Sequence, residues 1–456
     1  MRTPALLWAA GLLVHALWAL AVPGPSDWDP AYYSEVARHI AAGHGAVTNA
    51  AWLHAALPAS LPQPADLHWM PLPSRVLVLE AWLGGWGQVT TVLLGALWAP
   101  LAWALARAVG APGRTAVLAG LLAATGLGYA RFLSTPDSIA LYGVLGGLGF
   151  LAVATQHRSL PLVAAAAALT RGDGFLLGLA WSGRGHRLLA GAAGLLAFAG
   201  WQARGLWLGG ERFLALRGST AQALFPEGAT CAAPASGLGE RLHTVGGELL
   251  DVLVVPLIAG AGLVPLLALV GAWTLRTQPV VRRGAAYTLL FPPIVIALAP
   301  AVGGSGTVFR SLSAVAPLAC ALAAVGIAAW IRARALHPGV AAALGLAVAG
   351  TSVTMGVLYT RSAPERDWVC PEAEGAVFAS DPFFVAFACD QPAVLLAPCH
   401  SPEQVQAAAA LLAIDQAWFP AGRDGEVGAS FDEAEDLLQG WSAVGTRERL
   451  APEGLR

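Results

Sequence analysis

Lysine is absent from the 456 residues, and all 26 basic side chains are arginine. A Walker A loop reads phosphate with a lysine beside its glycine-rich backbone, so P-loop ATPase chemistry is excluded. Schiff-base chemistry goes with it. Charge of either sign is scarce: charged residues make up 12% of the chain, about half of the roughly 25% usual in soluble domains. A net charge of −2 carries no nucleic-acid footprint. Cysteine is limited to five residues and no paired CxxC occurs, which removes the usual frame of a structural zinc site.

What fills the chain instead is apolar. Hydrophobic residues make up 56% and mean hydropathy is +0.62. Lipid is the solvent this composition suits, and a bilayer core needs about 20 apolar residues per spanning helix. The runs are continuous rather than alternating, so helices and not a β-barrel are expected. The first, Pro4 to Val22, follows Arg2 and has no small-residue cleavage site after it, so it is a spanning helix rather than a signal peptide. Further runs cover 88–108, 115–130, 138–155, 159–170, 174–183, 188–208, 248–275, 284–302, 311–331 and 338–359. About eleven crossings follow by the same length rule. The short pair 159–170 and 174–183 forms a broken hairpin, tolerable where protein or water satisfies its backbone.

Arginine placement orients these runs. With the N-terminus inside, the inner loops hold Arg2, Arg107, Arg114, Arg158, Arg184, Arg187, Arg276, Arg282, Arg283, Arg332 and Arg334, and no acid. Nearly all the acids fall in the opposite loops. The expected organisation is a membrane domain over 1–360, with an outer loop at 23–87, and a small extracytoplasmic α/β domain over 361–456. Strands are expected at Ala376–Ser380, Ala393–Ala397 and Ala417–Phe419, with a helix at Pro402–Leu412. Cys231, Cys370, Cys389 and Cys399 fall on the outer side, where disulfides persist; spacing leaves their pairing open. Cys320 sits in an apolar run and is inert.

The outer loop opens Ser26-Asp27-Trp28-Asp29-Pro30-Ala31-Tyr32-Tyr33, placing two acids just past the first helix. Ala31 to Ala42 has helical spacing, with Tyr33, Val36, Ala37 and Ile40 on one stripe and Glu35, Arg38 and His39 off it. Gly43 and Gly45 end it. Such a helix is expected to lie in the membrane interface. Acids at its start also suit the helix dipole, so periodicity weighs capping and chemistry about equally.

Asp29-Pro30-Ala31-Tyr32-Tyr33, with Ala37-Arg38 and Gly43-His44-Gly45 behind it, resembles the first-loop signature of the GT-C superfamily of glycosyltransferases. More specifically it looks like the bacterial branch related to protein O-mannosyltransferases and aminoarabinose transferases. The same branch is matched by Leu61-Pro62-Gln63-Pro64-Ala65-Asp66-Leu67-His68-Trp69-Met70-Pro71-Leu72, by Ser134-Thr135-Pro136-Asp137-Ser138, and by Ala168-Leu169-Thr170-Arg171-Gly172-Asp173-Gly174. Ser380-Asp381-Pro382 and Asp390-Gln391-Pro392 resemble the soluble appendage of such enzymes.

The resemblance implies an α-helical polytopic fold that moves a sugar from a polyprenyl-phosphate donor, with inversion, to a protein, lipid or cell-envelope glycan. It places the chain in a bacterial cytoplasmic membrane, with transfer at the outer face. Asp29 is then the candidate general base, Asp27 the second choice, and Asp137 an acid that orients the acceptor or a metal. Asp137 also has the sequence of an ordinary helix cap. Arg171 and Arg310 are candidates to grip phosphate, against the alternative of snorkelling to headgroups; Arg75 and Arg131 rank below them. Tyr33, Arg38, His68 and Trp69 are candidate substrate contacts, although interfacial anchoring is the default for a tryptophan. His68 stands where relatives often carry tyrosine, and His39 and His44 suit surface positions. No metal-ligand spacing stands out, and Mg or Mn is a candidate cofactor by resemblance alone. A transporter of a lipid-linked solute and a non-catalytic relative are the rival readings. A transporter would show ionisable residues deep inside helices, where this sequence has few.

Overall fold

The structure, a computed structural model, describes residues 2–22, 24, 28–52, 60–67, 69–209, 257–258, 262–298, 304–337, 339–361, 370, 375–379, 382–396, 402–418, 438, 441–443 and 449–452. Apolar runs became helices almost wherever they are described. In order these are α1 (Arg2–Ala21), α2 (Trp28–Ala41), α3 (Leu72–Trp82), α4 (Gln88–Ala96), α5 (Trp98–Ala108), α6 (Gly113–Ala124), α7 (Ser138–Thr155), α8 (Leu160–Thr170), α9 (Gly174–Trp181) and α10 (Leu188–Gly209). After a break follow α11 (Leu263–Thr274), α12 (Pro279–Leu298), α13 (Gly304–Leu312), α14 (Ala316–Ala333), α15 (Gly339–Arg361), α16 (Pro382–Cys389) and α17 (Pro402–Leu412).

Among the described residues, four helical segments are long and apolar enough to cross a membrane: Arg2–Ala21, Gln88–Ala108, Ser138–Thr155 and Val308–Ala333. The first buries only Leu7, Gly11 and His15. Their four-residue spacing makes one narrow inward stripe, and the rest of the helix faces outward. By contrast α7 buries most of its length and forms the centre of the bundle. The run 115–130 yields a helix only to Ala124, because Gly126 takes a left-handed φ of 75° and two short 3-10 turns follow. Part of the run 248–275 lies outside the described residues. Its described end, α11, packs on α14 through two glycines. A Cβ on Gly271 would stand 1.9 Å from the Leu322 carbonyl oxygen, and one on Gly326 2.1 Å from that of Leu267. Close backbone approach of this kind is how helices associate where no water drives them together.

The strands form a separate layer. Val47–Thr48 (β1) pairs antiparallel with Gln63–Pro64 (β3). The larger sheet contains Ala50–Trp52 (β2), Val377–Ala379 (β4), Ala393–Leu395 (β5), Ala417–Trp418 (β6), Trp441–Ala443 (β7) and Arg449–Pro452 (β8), in the order β2-β5-β4-β6-β8-β7. Pairings among β2, β5, β4 and β6 are parallel, and those joining β6, β8 and β7 are antiparallel. Strands at 377–379, 393–395 and 417–418 and the helix at 402–412 match the expected elements. The edge strand β2 does not come from the C-terminal segment. It belongs to the loop after α1, paired Ala50 to Ala393 and Trp52 to Leu395.

That strand explains a second departure. Instead of lying at an interface, α2 is packed between α3, β1 and α16, and every residue from Pro30 to Ala37 is buried. Glu35, expected on a solvated face, is 1% exposed. Its carboxylate accepts from the Thr48 hydroxyl at 2.7 Å and the Asn49 N–H at 2.5 Å. A buried carboxylate needs such donors, and these tether the strand that enters the sheet. A disulfide joins Cys370 to Cys389 at the end of α16; Cys231 and Cys399 lie outside the described residues.

Candidate active site

Four chain segments converge on one cluster. Asp29 stands in the first turn of α2, where the helix dipole favours an anion. Its Oδ1 accepts from Trp69 Nε1 at 2.8 Å, and its Oδ2 lies 3.6 Å from Nε of Arg310, in the last turn of α13. The same Nε donates to Oδ2 of Asp137 at 3.4 Å. Asp137 is the cap that its sequence suggests. Its Oδ1 caps α7 by accepting from the Ile139 N–H at 3.2 Å and the Ser138 hydroxyl at 3.0 Å. The other oxygen is left to face the arginine.

Arg171 occupies the turn between α8 and α9. The turn is tight: a Cβ on Gly174 would stand 2.0 Å from the Ala167 carbonyl oxygen, so only glycine fits there. Arg171 Nε donates to Asp173 Oδ1 at 3.0 Å, and its terminal nitrogens reach the Ser138 and Ser311 hydroxyls at 3.4 and 3.3 Å. Those serines neighbour Asp137 and Arg310 in sequence, so the two arginines share one locality. Burial opposes the Arg171 charge, yet the adjacent Asp173 holds its pKa above the ordinary guanidinium value. Asp173 is itself held, its Oδ2 accepting from Tyr142 at 2.9 Å and Tyr287 at 3.1 Å.

Tyr33 lies in the field of all four groups. Burial raises its phenol well above 10, the Asp29 and Asp137 carboxylates raise it further, and Arg171 and Arg310 pull it back. Trp69 is stacked on Tyr32 at a ring-centroid distance of 4.2 Å and meets Phe383 edge-on at 4.9 Å. Its role is therefore neither interfacial anchor nor free stacking platform. The indole is clamped with its N–H on Asp29.

Arg38 is not brought to the cluster. Its guanidinium donates to the Phe387 carbonyl and lies 4.5 Å over the Phe387 ring. Burial lowers its pKa, while Glu35 and Asp390 offset part of that. It fastens α2 to α16. Asp27 and His68 lie outside the described residues. Arg75 pairs with the buried Asp66, and Arg131 lies 5.8 Å from the Phe132 ring. Asp173, Tyr142, Tyr287 and Ser311 escaped sequence reasoning. Of these only Asp173 carried a local signal, two residues after Arg171 in the same turn. Among the described residues no three His, Cys, Asp or Glu side chains gather as a metal site. Between Asp29 and Asp137 the positive charge is that of Arg310.

No protein-family model matches the sequence, and no curated protein matches it. Solved structures do. An apo oligosaccharyltransferase from Archaeoglobus fulgidus superposes with a TM-score of 0.51 at 11% identity, over 90% of this chain and 69% of that one. ArnT from Cupriavidus metallidurans, in a structure with undecaprenyl phosphate bound, superposes with a TM-score of 0.52 at 15% identity, over 98% of this chain and 97% of that one. At such identities the likeness is one of fold, and the fold is that of the GT-C glycosyltransferases.

Proposed function

We propose that the chain is a membrane glycosyltransferase that moves a sugar from a polyprenyl-phosphate donor to a protein, lipid or cell-envelope glycan acceptor. The observation that carries this reading is the guanidinium of Arg310 shared between Asp29 and Asp137, with Arg171 fixed beside it. Acceptor activation needs a carboxylate near the attacking hydroxyl. Departure of a phosphate needs cations preorganised where negative charge develops. The cluster supplies both within one site.

In this reading Asp29 takes the proton of the acceptor hydroxyl, with Trp69 holding its carboxylate in place. The acceptor oxygen attacks the anomeric carbon from the side opposite the phosphate. The bond to the phosphate oxygen breaks with its electron pair, inverting the centre and releasing polyprenyl phosphate. Arg310 and Arg171 stabilise the departing anion, and Asp137 orients the acceptor. Asp29 and Asp137 are the carboxylates that would hold a divalent cation together with the donor phosphate, and it would add a further positive charge beside the leaving group.

Placement follows the same reading. The chain would cross a bacterial cytoplasmic membrane about eleven times, with the N-terminus inside and the site and the 361–456 domain outside. The bound undecaprenyl phosphate of the Cupriavidus ArnT structure supports the donor class. The test is purified protein in detergent against a panel of polyprenyl-phosphate sugars. Turnover of one donor, lost in Asp29→Asn with the melting temperature unchanged, is the expected result. Undiminished turnover in that variant would remove Asp29 as the base.

A further inference from the structure

Asp173 takes no part in the proposed transfer, yet both of its carboxylate oxygens are engaged. It lies in the turn between α8 and α9 with a side chain 10% exposed. Oδ1 accepts the Nε–H of Arg171 at 3.0 Å. Oδ2 accepts from Tyr142 at 2.9 Å and from Tyr287 at 3.1 Å. Those phenols come from α7 and α12, are buried, and have hydroxyls 3.3 Å apart. The Tyr287 hydroxyl also has the Ser311 carbonyl within a longer 3.5 Å. A buried carboxylate needs donors. Phenols supply them and add no positive charge to compete with Arg171. The Tyr142 ring also lies 5.6 Å from the Arg171 guanidinium carbon, within range of a cation–π contact.

What remains of Arg171 is a matched pair of donors. A guanidinium carries five N–H groups in a fixed fork. Here Nε is given to Asp173, one terminal nitrogen to the Ser138 hydroxyl at 3.4 Å and the other to that of Ser311 at 3.3 Å. The Ser138 hydroxyl sends its own hydrogen to Asp137, so it meets Arg171 as an acceptor. Among the described residues, each terminal nitrogen then keeps one N–H without a partner. Arginine commonly grips a phosphate through two parallel N–H bonds. An end-on pair with Asp173 would use up both terminal nitrogens, whereas the Nε contact leaves that end of the fork clear.

We propose that Asp173 is a positioning residue for phosphate binding: anchored by Tyr142 and Tyr287, it holds Arg171 by Nε so that both terminal nitrogens meet the donor phosphate together. The inference rests on the proposed function and names the group that orients its cation. No bond is made or broken at Asp173. Its carboxylate, the two phenols and the two serine hydroxyls fix the guanidinium before the donor arrives. The entropy of ordering that side chain is then lost on folding and not again on binding. Charge alone does not replace this arrangement. A lysine would carry the charge as a rotatable point, without the fork.

Binding alone tests this, with undecaprenyl phosphate as the probe and the full chain in detergent. Asp173→Asn keeps the side-chain size but turns an amide NH2 towards groups that themselves donate; affinity should fall about tenfold. Arg171→Gln should lose at least as much. Adding Asp173→Asn to Arg171→Gln should then cost nothing further, because the group being positioned is gone. Arg171→Lys should bind as weakly as Arg171→Gln, to within about threefold. Tyr287→Phe keeps its ring stacked on Phe291 at 5.2 Å and removes one donor from Asp173. Its loss of about threefold, again absent beside Arg171→Gln, carries the same test should melting temperatures show that Asp173→Asn has failed to fold. Wild-type affinity in Asp173→Asn and Tyr287→Phe overturns the inference. Losses that multiply in the double variants overturn it as well, since Asp173 would then act on the fold and not through Arg171. Wild-type affinity in Arg171→Lys overturns the paired grip. In each of these cases the donor class stands. No binding of undecaprenyl phosphate by the wild type overturns the donor class, and this inference with it.

Discussion

Two carboxylate–guanidinium clusters flank one aromatic stack. On one side Tyr32 donates its hydroxyl to Asp66 at 3.1 Å, and Arg75 closes on the other oxygen. On the other side Trp69, stacked on Tyr32, donates to Asp29, and Arg310 stands off at 3.6 Å. The Asp66 side chain is fully buried and that of Asp29 is 16% exposed. Trp201 adds a bond to the Asp66 backbone carbonyl at 3.2 Å and brings α10 onto the same loop. The same pair of residue types therefore does two jobs. With its carboxylate fully buried the pair is a structural clasp; with its carboxylate part-exposed it is within reach of a substrate.

The contrast breaks if the wrong acid matters for turnover. Asp29→Asn should lower transfer about a thousandfold, within the range a general base contributes, with little change in melting temperature; donor consumption at saturating acceptor measures it. Asp66→Asn should act on stability instead. Leaving Arg75 without its partner costs about 3 kcal/mol, visible as a lower melting temperature in detergent, while protein that remains folded keeps its turnover. The pH dependence of that clasp has a definite sign. Burial raises the Asp66 pKa above 3.8, against the opposing pull of Arg75 and Tyr32. Its stabilising share is complete below pH 3.8 and declines as pH rises through the elevated folded value. The asparagine variant should lack that decline in a melting series across the same window.

Smaller effects sharpen the comparison. Phe383→Ala, beneath the indole, should cost about 3 kcal/mol of stability by cavity formation, read in the same melts. Trp69→Phe keeps a ring between Tyr32 and Phe383 but removes the donor to Asp29. A hydrogen bond to a charged group is worth about 1.5 kcal/mol or more, so kcat should fall about tenfold with stability nearly unchanged. An equal fall in stability would make Trp69 part of the clasp rather than of the site.

Much of this was legible along the chain. The cap at Asp137 and the glycine-tight turn at Arg171 are local motifs whose geometry a few residues dictate. The helices follow from run length, and the strands at 377–379 and 393–395 from short apolar stretches between turns. Glu35 was misjudged for a physical reason: an acid off an apolar stripe looks solvated unless a second layer covers it, and here β1, β2 and α16 do. Arg38 was drawn to phosphate by its charge, but a partner some 349 residues away in sequence took it. Tyr142 and Tyr287 lie inside apolar runs where nothing marks them until Asp173 is placed between them.

By itself the sequence determined the apolar character of each segment, the helical identity of its long runs and the residue types available for acid–base and phosphate chemistry. Those properties depend on composition and on spacings of a few residues. Tertiary structure alone decided which carboxylate meets which arginine, and at what distance. Asp29, Asp137 and Arg310 are separated by more than a hundred residues at each step, and only the packing of α2, α7 and α13 against one another brings their charges within 4 Å.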